Sequence, residues 1–308
     1  MKIATALTIL AALLVVTMSH RASSEGRPRA MSRAVLDGVE LEYEVRGGGA
    51  PVVLVHAGVF AAWYQPLLNE LTPTGRYRVL TYNRVGYGGS SRLAGSVSLA
   101  QQAGHLAALM RHLGIQRAHL IGHSSGANII LQLALDAPEL VGSLAVLEPA
   151  LPVEEAGSER LLSTRAFMAP VIERYRAGDK AGAVDGFMRG VTGPDYRTTL
   201  DRVLPNAFDE AIASADTFFG QELPAVRQWS FRREDARRIT QPVLAVVGEK
   251  SKQQSSIWDA RQNMLLTSLP NAEGFVLPGA THLLYVENPR AMAERLAAFF
   301  ARNPVKIP

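Results

Sequence analysis

The stretch Gly122-His123-Ser124-Ser125-Gly126 sets a hydroxyl between two glycines. An apolar run, Ala118 to Ile121, leads straight into it, and a helical pattern, Asn128 to Leu135, leads out. A serine on so tight a strand-to-helix turn has its hydroxyl held out above the sheet. The flanking positions must be glycine, because side chains there would collide as strand and helix pack. The helix that starts at the turn aims unpaired N–H groups at it, which suits a developing negative charge. These are the requirements of acyl transfer by a serine nucleophile, with Ser124 as the candidate. Such a serine needs a base within hydrogen-bond reach and a carboxylate that orients the base. His282 is the base candidate, because Pro278-Gly279-Ala280-Thr281-His282 is a Gly-containing loop after a late apolar stretch. His105, His112 and His119 lack such a setting. On one helix, His105 and His112 would lie two turns apart, about 10 Å along the axis, too far to share a metal.

In their order along the chain these segments resemble the α/β-hydrolase fold family, from about residue 33 onward. Pro51-Val52-Val53-Leu54-Val55-His56-Ala57-Gly58 resembles the family's first parallel strand and oxyanion loop. Tyr82-Asn83-Arg84-Val85-Gly86-Tyr87-Gly88-Gly89-Ser90 resembles its Gly-rich turn, with Asn83 where the family carries Asp. The loop from Pro278 to His282 resembles the one that bears the family's histidine. The resemblance implies an oxyanion hole built from the backbone N–H of Ser125 and a second N–H after His56, at Gly58 or alternatively Val59. It also implies an acid. The family's common place for it is here Gly248-Glu249-Lys250-Ser251, with serine standing in the acid's position. Some members carry the acid after the strand that follows the nucleophile helix, and there this chain has Leu147-Glu148-Pro149. A carboxylate at the end of a buried strand is costly without a partner, and His282 would be that partner. Glu148 is therefore preferred, with Glu249 as the alternative. Phe60, Trp63 and Trp229 are candidates to line an apolar substrate pocket.

Composition limits the other classes of function. The chain has 308 residues, a formal charge of +4 and no cysteine. No Lys/Arg run supports nucleic-acid binding. The lack of cysteine excludes disulfides, thiolate metal sites and a cysteine nucleophile. Gly86 to Ser90 lacks the Gly-x-x-x-x-Gly-Lys pattern of a phosphate loop. The expected partner is a small acyl substrate, with no metal or other cofactor. Met1-Lys2 followed by the apolar run Ile3 to Met18 reads as a secretory signal over residues 1–22, with Ala22 as a cleavage end. Export is the expectation; membrane association follows only if this segment stays as an uncleaved anchor.

The remaining pattern must position these groups. Residues 23–32 read as a linker. Val39, Leu41, Tyr43 and Val45 alternate with polar residues after the turn dipeptide Asp37-Gly38, which predicts a hairpin. Apolar strands are expected at 52–55, 77–82, 118–122, 144–147, 242–248 and 274–277. Between them, Ser98 and Gln101 predict a capped helix start, and Pro289 opens a last helix. Strands alternating with helices imply an α/β fold with a mostly parallel, doubly wound sheet. Residues 151–238 break the rhythm with Ala- and Arg-rich helical stretches and predict a helical cap inserted between core segments 33–150 and 239–308. The resulting expectation is an exported serine hydrolase that cleaves an ester. The alternatives are another cofactor-free reaction of the fold (lactone opening, carbon–carbon bond hydrolysis or perhydrolysis) and an inactive hydrolase-like binding protein.

Overall fold

The computed structural model describes residues 31–151 and 157–305, with side chains described outside 157–165. The expected signal or anchor, 1–22, and nearly all of the expected linker lie outside the described residues. Eight strands form one sheet: β1 (Ser32–Leu36), β2 (Val39–Gly47), β3 (Ala50–Val55), β4 (Tyr77–Tyr82), β5 (Ala118–His123), β6 (Val141–Leu147), β7 (Val243–Gly248) and β8 (Ala272–Leu277). Their order is β1-β2-β4-β3-β5-β6-β7-β8. The hairpin β1–β2 joins β4 antiparallel, and all pairs from β4 to β8 are parallel. The central strands are apolar throughout because both faces are covered. Along β3, Val52 and Leu54 enter one core and Val53 and Val55 the other.

Helices fill the crossovers: α1 (Gln65–Leu71), α2 (Leu99–His112) and α3 (Ser125–Asp136) in the first half, and α10 (Glu249–Gln254) and α11 (Ser256–Ser268) in the second, with α12 (Pro289–Arg302) following β8. Ser98 and Gln101 form the expected reciprocal cap at the start of α2. The structure departs from the sequence reading by adding α10 and α11. α11 hides Gln262 on its buried face, so its apolar stripe is interrupted and its periodicity is weak.

Between β6 and β7 the described residues hold only helices. They are α4 (Gly157–Arg176), α5 (Lys180–Thr192), α6 (Tyr196–Val203), α7 (Ala207–Ala213), a π-helix at Asp216–Glu222, α8 (Leu223–Gln228) and α9 (Arg233–Arg238). This is the stretch expected to form the cap. Among the described residues no helix is long and apolar enough to cross a membrane.

Candidate active site

Parallel register brings the carboxyl ends of the central strands level. His123 at the end of β5 pairs with Leu147 of β6, Leu147 pairs with Val246 of β7, and Gly248 pairs with Leu277 of β8. In such sheets, side chains just beyond these ends converge. Ser124 follows β5 with φ 53° and ψ −120°, a conformation L-residues rarely take. Its N–H donates to the Leu147 carbonyl at 2.9 Å, which ties the turn to the neighbouring strand. The flanking glycines are required sterically. A Cβ at Gly122 would lie 2.5 Å from the Gly126 carbonyl oxygen, and one at Gly126 would lie 2.4 Å from those of Val55 and His56. Ser124 is half-buried. Ser125 is the first residue of α3, so its N–H falls outside the helix's own ladder.

Glu148 follows β6, also left-handed at φ 39°. Its Oε2 meets His282 Nδ1 at 2.5 Å, and its Oε1 accepts the Gly248 N–H at 2.7 Å. Both side chains are almost fully buried. With Nδ1 so engaged, Nε2 is the ring nitrogen left to accept a proton. The His282 ring stacks on Trp258, centroids 4.6 Å apart, and lies 4.7 Å from the ring of His123, next to Ser124. The structure therefore gathers Ser124, Glu148 and His282 at one end of the sheet. Glu249, the alternative acid, does something else: its Oε2 accepts the Gly279 N–H at 2.8 Å and braces the histidine loop from outside. Glu287 accepts both the N–H and the hydroxyl of Thr281, a second brace. Arg261, half-buried on α11, has its pKa pulled down to about 10 by desolvation, while Glu148 acts in the opposite direction. The face of Trp258 lies 5.0 Å from this guanidinium.

The loop after β3 is held from several sides. His56 is fully buried, with Nδ1 on the Ala57 carbonyl at 2.7 Å and Nε2 accepting the Arg84 N–H at 3.1 Å. Burial, and then the nearby Arg84 charge, hold its pKa well below the usual imidazole range, so it is a neutral brace. The Gly58 carbonyl accepts from Trp63 Nε1 at 2.7 Å and from the Phe60 N–H at 3.0 Å. Phe60 and Trp63 stack at 4.4 Å, and Trp63 meets the His123 ring edge-on. Val59 has a left-handed φ of 78°. No Cβ fits at Gly58, where it would lie 2.6 Å from the Phe218 ring and 2.9 Å from a Glu222 oxygen.

Phe218 and Glu222 belong to the π-helix, so the inserted helices reach the loop directly. Arg84 is 1% and Glu222 3% exposed, and Arg84 Nη2 meets both Glu222 oxygens at 3.1 and 3.2 Å. The Tyr87 hydroxyl donates to the same carboxylate. Arg84 Nη2 also reaches the Ser125 hydroxyl at 3.4 Å. Asn83, in place of the family's Asp, donates to Glu42 at 2.7 Å, a partner that a second carboxylate would repel. Trp229 is not brought to this place: it bonds Gln132 and stacks on Phe231, packed against the opposite core. Among the described residues, no group of three or more acidic or histidine side chains could hold a metal ion.

Similarity to known proteins follows the same geometry. A sequence profile of the alpha/beta hydrolase fold matches residues 50–289. A dihydrolipoyllysine-residue acetyltransferase component of the acetoin cleaving system of Cupriavidus necator is 40% identical over 214 residues. The match takes in 67% of this chain but only 53% of that protein, so the chain spans about half the relative's length. A thermophilic esterase from Thermogutta terrifontis superposes with a TM-score of 0.71 at 19% identity, covering 89% of this chain and 99% of the esterase. The enol-lactonase from Burkholderia xenovorans superposes at 0.68 with 21% identity, covering 88% and 100% of the two chains. The profile match spans most of the chain and takes in Ser124, Glu148 and His282. The chain belongs to the alpha/beta hydrolase fold family.

Proposed function

We propose that this protein is a serine hydrolase that opens an ester-type acyl bond. The observation that carries the reading is the buried carboxylate–imidazole pair at 2.5 Å, its imidazole 4.7 Å from the ring of His123, the residue before a serine on a strained turn. Glu148 holds the imidazole in the tautomer with its proton on Nδ1, so Nε2 is free to take the Ser124 proton as the oxygen attacks the acyl carbon. The imidazolium then returns that proton to the leaving alcohol. A water, deprotonated by the same Nε2, clears the acyl-enzyme. Charge on the tetrahedral oxygen is met by the N–H of Ser125 and by the N–H of Gly58, with that of Val59 as the alternative donor. Phe60 and Trp63 give the loop an apolar lining. The acyl transfer named for the Cupriavidus relative is in keeping with this chemistry, although the chain matches only about half of that protein.

The test is covalent labelling by a fluorophosphonate. Wild type is expected to take one label per chain at Ser124, and Ser124→Ala none. A folded wild type that takes no label would favour a binding protein. The apolar run Ile3 to Met18 after Met1-Lys2 supports export through a cleaved signal. The mass of the mature protein checks this: loss of about the first 22 residues is expected, and an intact N-terminus would point to an anchor.

A further inference from the structure

Glu210 lies on α7, half-buried, and among the described residues no cation pairs with it. Its Oε1 accepts the Ala61 N–H at 2.7 Å. Burial pushes its pKa up, and hydrogen bonding to the loop backbone only partly offsets that. A desolvated polar group is costly unless it is hydrogen-bonded, and the partner this one has is an amide of the loop after β3. Ala61 and Ala62 end the loop that begins at His56 and carries Gly58 and Val59. The amides at that end open the helical turn leading into α1, where a carboxylate is favoured by the helix dipole. At the loop's other end, Glu222 and Phe218 close over Gly58, and Arg84 neutralises Glu222.

We propose that Glu210 is a positioning residue for catalysis: a carboxylate supplied by the inserted helices that fixes the oxyanion loop through the Ala61 N–H, so that the Gly58 N–H is aimed before substrate arrives. The proposal rests on the serine hydrolase reading above. It makes the cap a structural part of the anion site as well as a cover. What the loop needs from residue 210 is an acceptor at the right reach. The negative charge itself is unhelpful, because it would oppose a developing oxyanion nearby. Reach and charge can be separated by substitution. Glu210→Gln keeps the reach and removes the charge. Glu210→Asp keeps the charge and shortens the reach by a methylene.

The experiment compares wild type, Glu210→Gln and Glu210→Asp in hydrolysis of p-nitrophenyl butyrate and in affinity for phenylboronic acid, whose tetrahedral serine adduct places an oxygen where the oxyanion forms. Rates are taken per active site, counted by fluorophosphonate labelling, so that a poorly folded variant does not imitate a slow one. A loop misplaced by about 1 Å costs on the order of a hundredfold. Glu210→Asp is therefore expected to lower kcat at least about tenfold with KM within about twofold, and to weaken the boronate by the same factor as kcat. Glu210→Gln is expected to stay within about threefold of wild type on both. The proposal is overturned if Glu210→Asp matches wild type, if both variants fall equally, or if the loss appears in KM alone. A wild type that takes neither label nor boronate would instead remove the serine hydrolase reading, and this inference with it.

Discussion

Replacing Glu148 by Gln tests the pair at the centre of the site, and its outcome can be worked from two hydrogen bonds. Glu148 Oε1 accepts the buried Gly248 N–H at 2.7 Å, and Oε2 faces His282 Nδ1 at 2.5 Å. Glutamine offers one oxygen and one NH2 group for these two places. If its oxygen turned to His282, the NH2 would face the Gly248 N–H, donor against donor. The stranded N–H would then cost about 1–3 kcal/mol. The oxygen therefore stays on Gly248, and the NH2 donates to His282 Nδ1. The imidazole must shift its proton to Nε2, where it can no longer take the serine proton. The comparable change in a serine-protease triad lowers turnover about ten thousandfold, which is about 5.5 kcal/mol at 1.36 kcal/mol per tenfold. Glu148→Gln should thus lose about a thousand- to ten-thousandfold in kcat/KM for p-nitrophenyl butyrate and label with fluorophosphonate correspondingly slowly. Its melting temperature should change little, since both hydrogen bonds persist in altered form. Glu249→Gln keeps an acceptor for the exposed Gly279 N–H and should stay within about threefold. If Glu148→Gln keeps more than a tenth of wild-type activity, or Glu249→Gln falls as far, the assignment of the acid is wrong.

Three other perturbations probe the surroundings. Arg84→Met strands the buried Glu222 carboxylate and should cost about 3–5 kcal/mol in urea unfolding; adding Glu222→Leu should recover most of it, and a single-variant loss below about 1 kcal/mol would refute the buried pair's importance. Gly126→Ala forces a Cβ within 2.4 Å of two carbonyl oxygens and should lower the urea midpoint by the equivalent of about 1–3 kcal/mol; an unchanged midpoint would contradict the close packing of the serine turn on β3. His119, buried against Phe300, has its pKa lowered by burial to about 4. An unfolded histidine binds its proton near pH 6.5, so stability from this group is complete above that pH and drains away as pH falls toward 4. The loss is of order 3 kcal/mol. Urea midpoints between pH 7 and 4 should fall more steeply in wild type than in His119→Gln, and equal slopes would refute the burial argument.

The sheet was legible in the sequence because its central strands are buried on both faces, which leaves apolar runs such as Val52 to Val55 and Leu144 to Leu147 with little ambiguity. The serine turn and its two glycines were legible for a steric reason that the coordinates reproduce. The pairing of Glu148 with His282 was suggested by the resemblance to the family together with the cost of a carboxylate at the end of a buried strand. What lay outside sequence reach was contact between distant segments. Glu210 and Ala61 are 149 residues apart, and Glu222 and Arg84 are 138 apart; no local pattern links them. Trp229 was offered as a pocket residue on aromatic character alone, which does not say which face of the sheet a ring will pack against. Trp258 and Arg261 escaped notice because their helix lacks a clean apolar stripe.

Strain in the backbone shows how the core and the inserted helices divide the work. Among the described residues five non-glycine residues have left-handed φ, and Asp37 is accounted for by the hairpin turn. The other four are Val59, Ser124, Glu148 and Leu284, each at or beside a group of the candidate site. Each such conformation costs about 1–3 kcal/mol and lasts only where its surroundings overdetermine it. For three of them the surroundings are the core itself. The Ser124 N–H is held by Leu147, that of Glu148 by Val246 and that of Leu284 by Thr281. Val59 differs. Its neighbour Gly58 is covered by Phe218 and Glu222 of the π-helix, and the loop's far end is taken by Glu210 of α7. The sheet alone can therefore hold Ser124 and the Glu148–His282 pair, whereas the geometry of the loop carrying Gly58 and Val59 depends on the inserted helices. A conformational change in those helices would reach the chemistry through Gly58 before it reached Ser124.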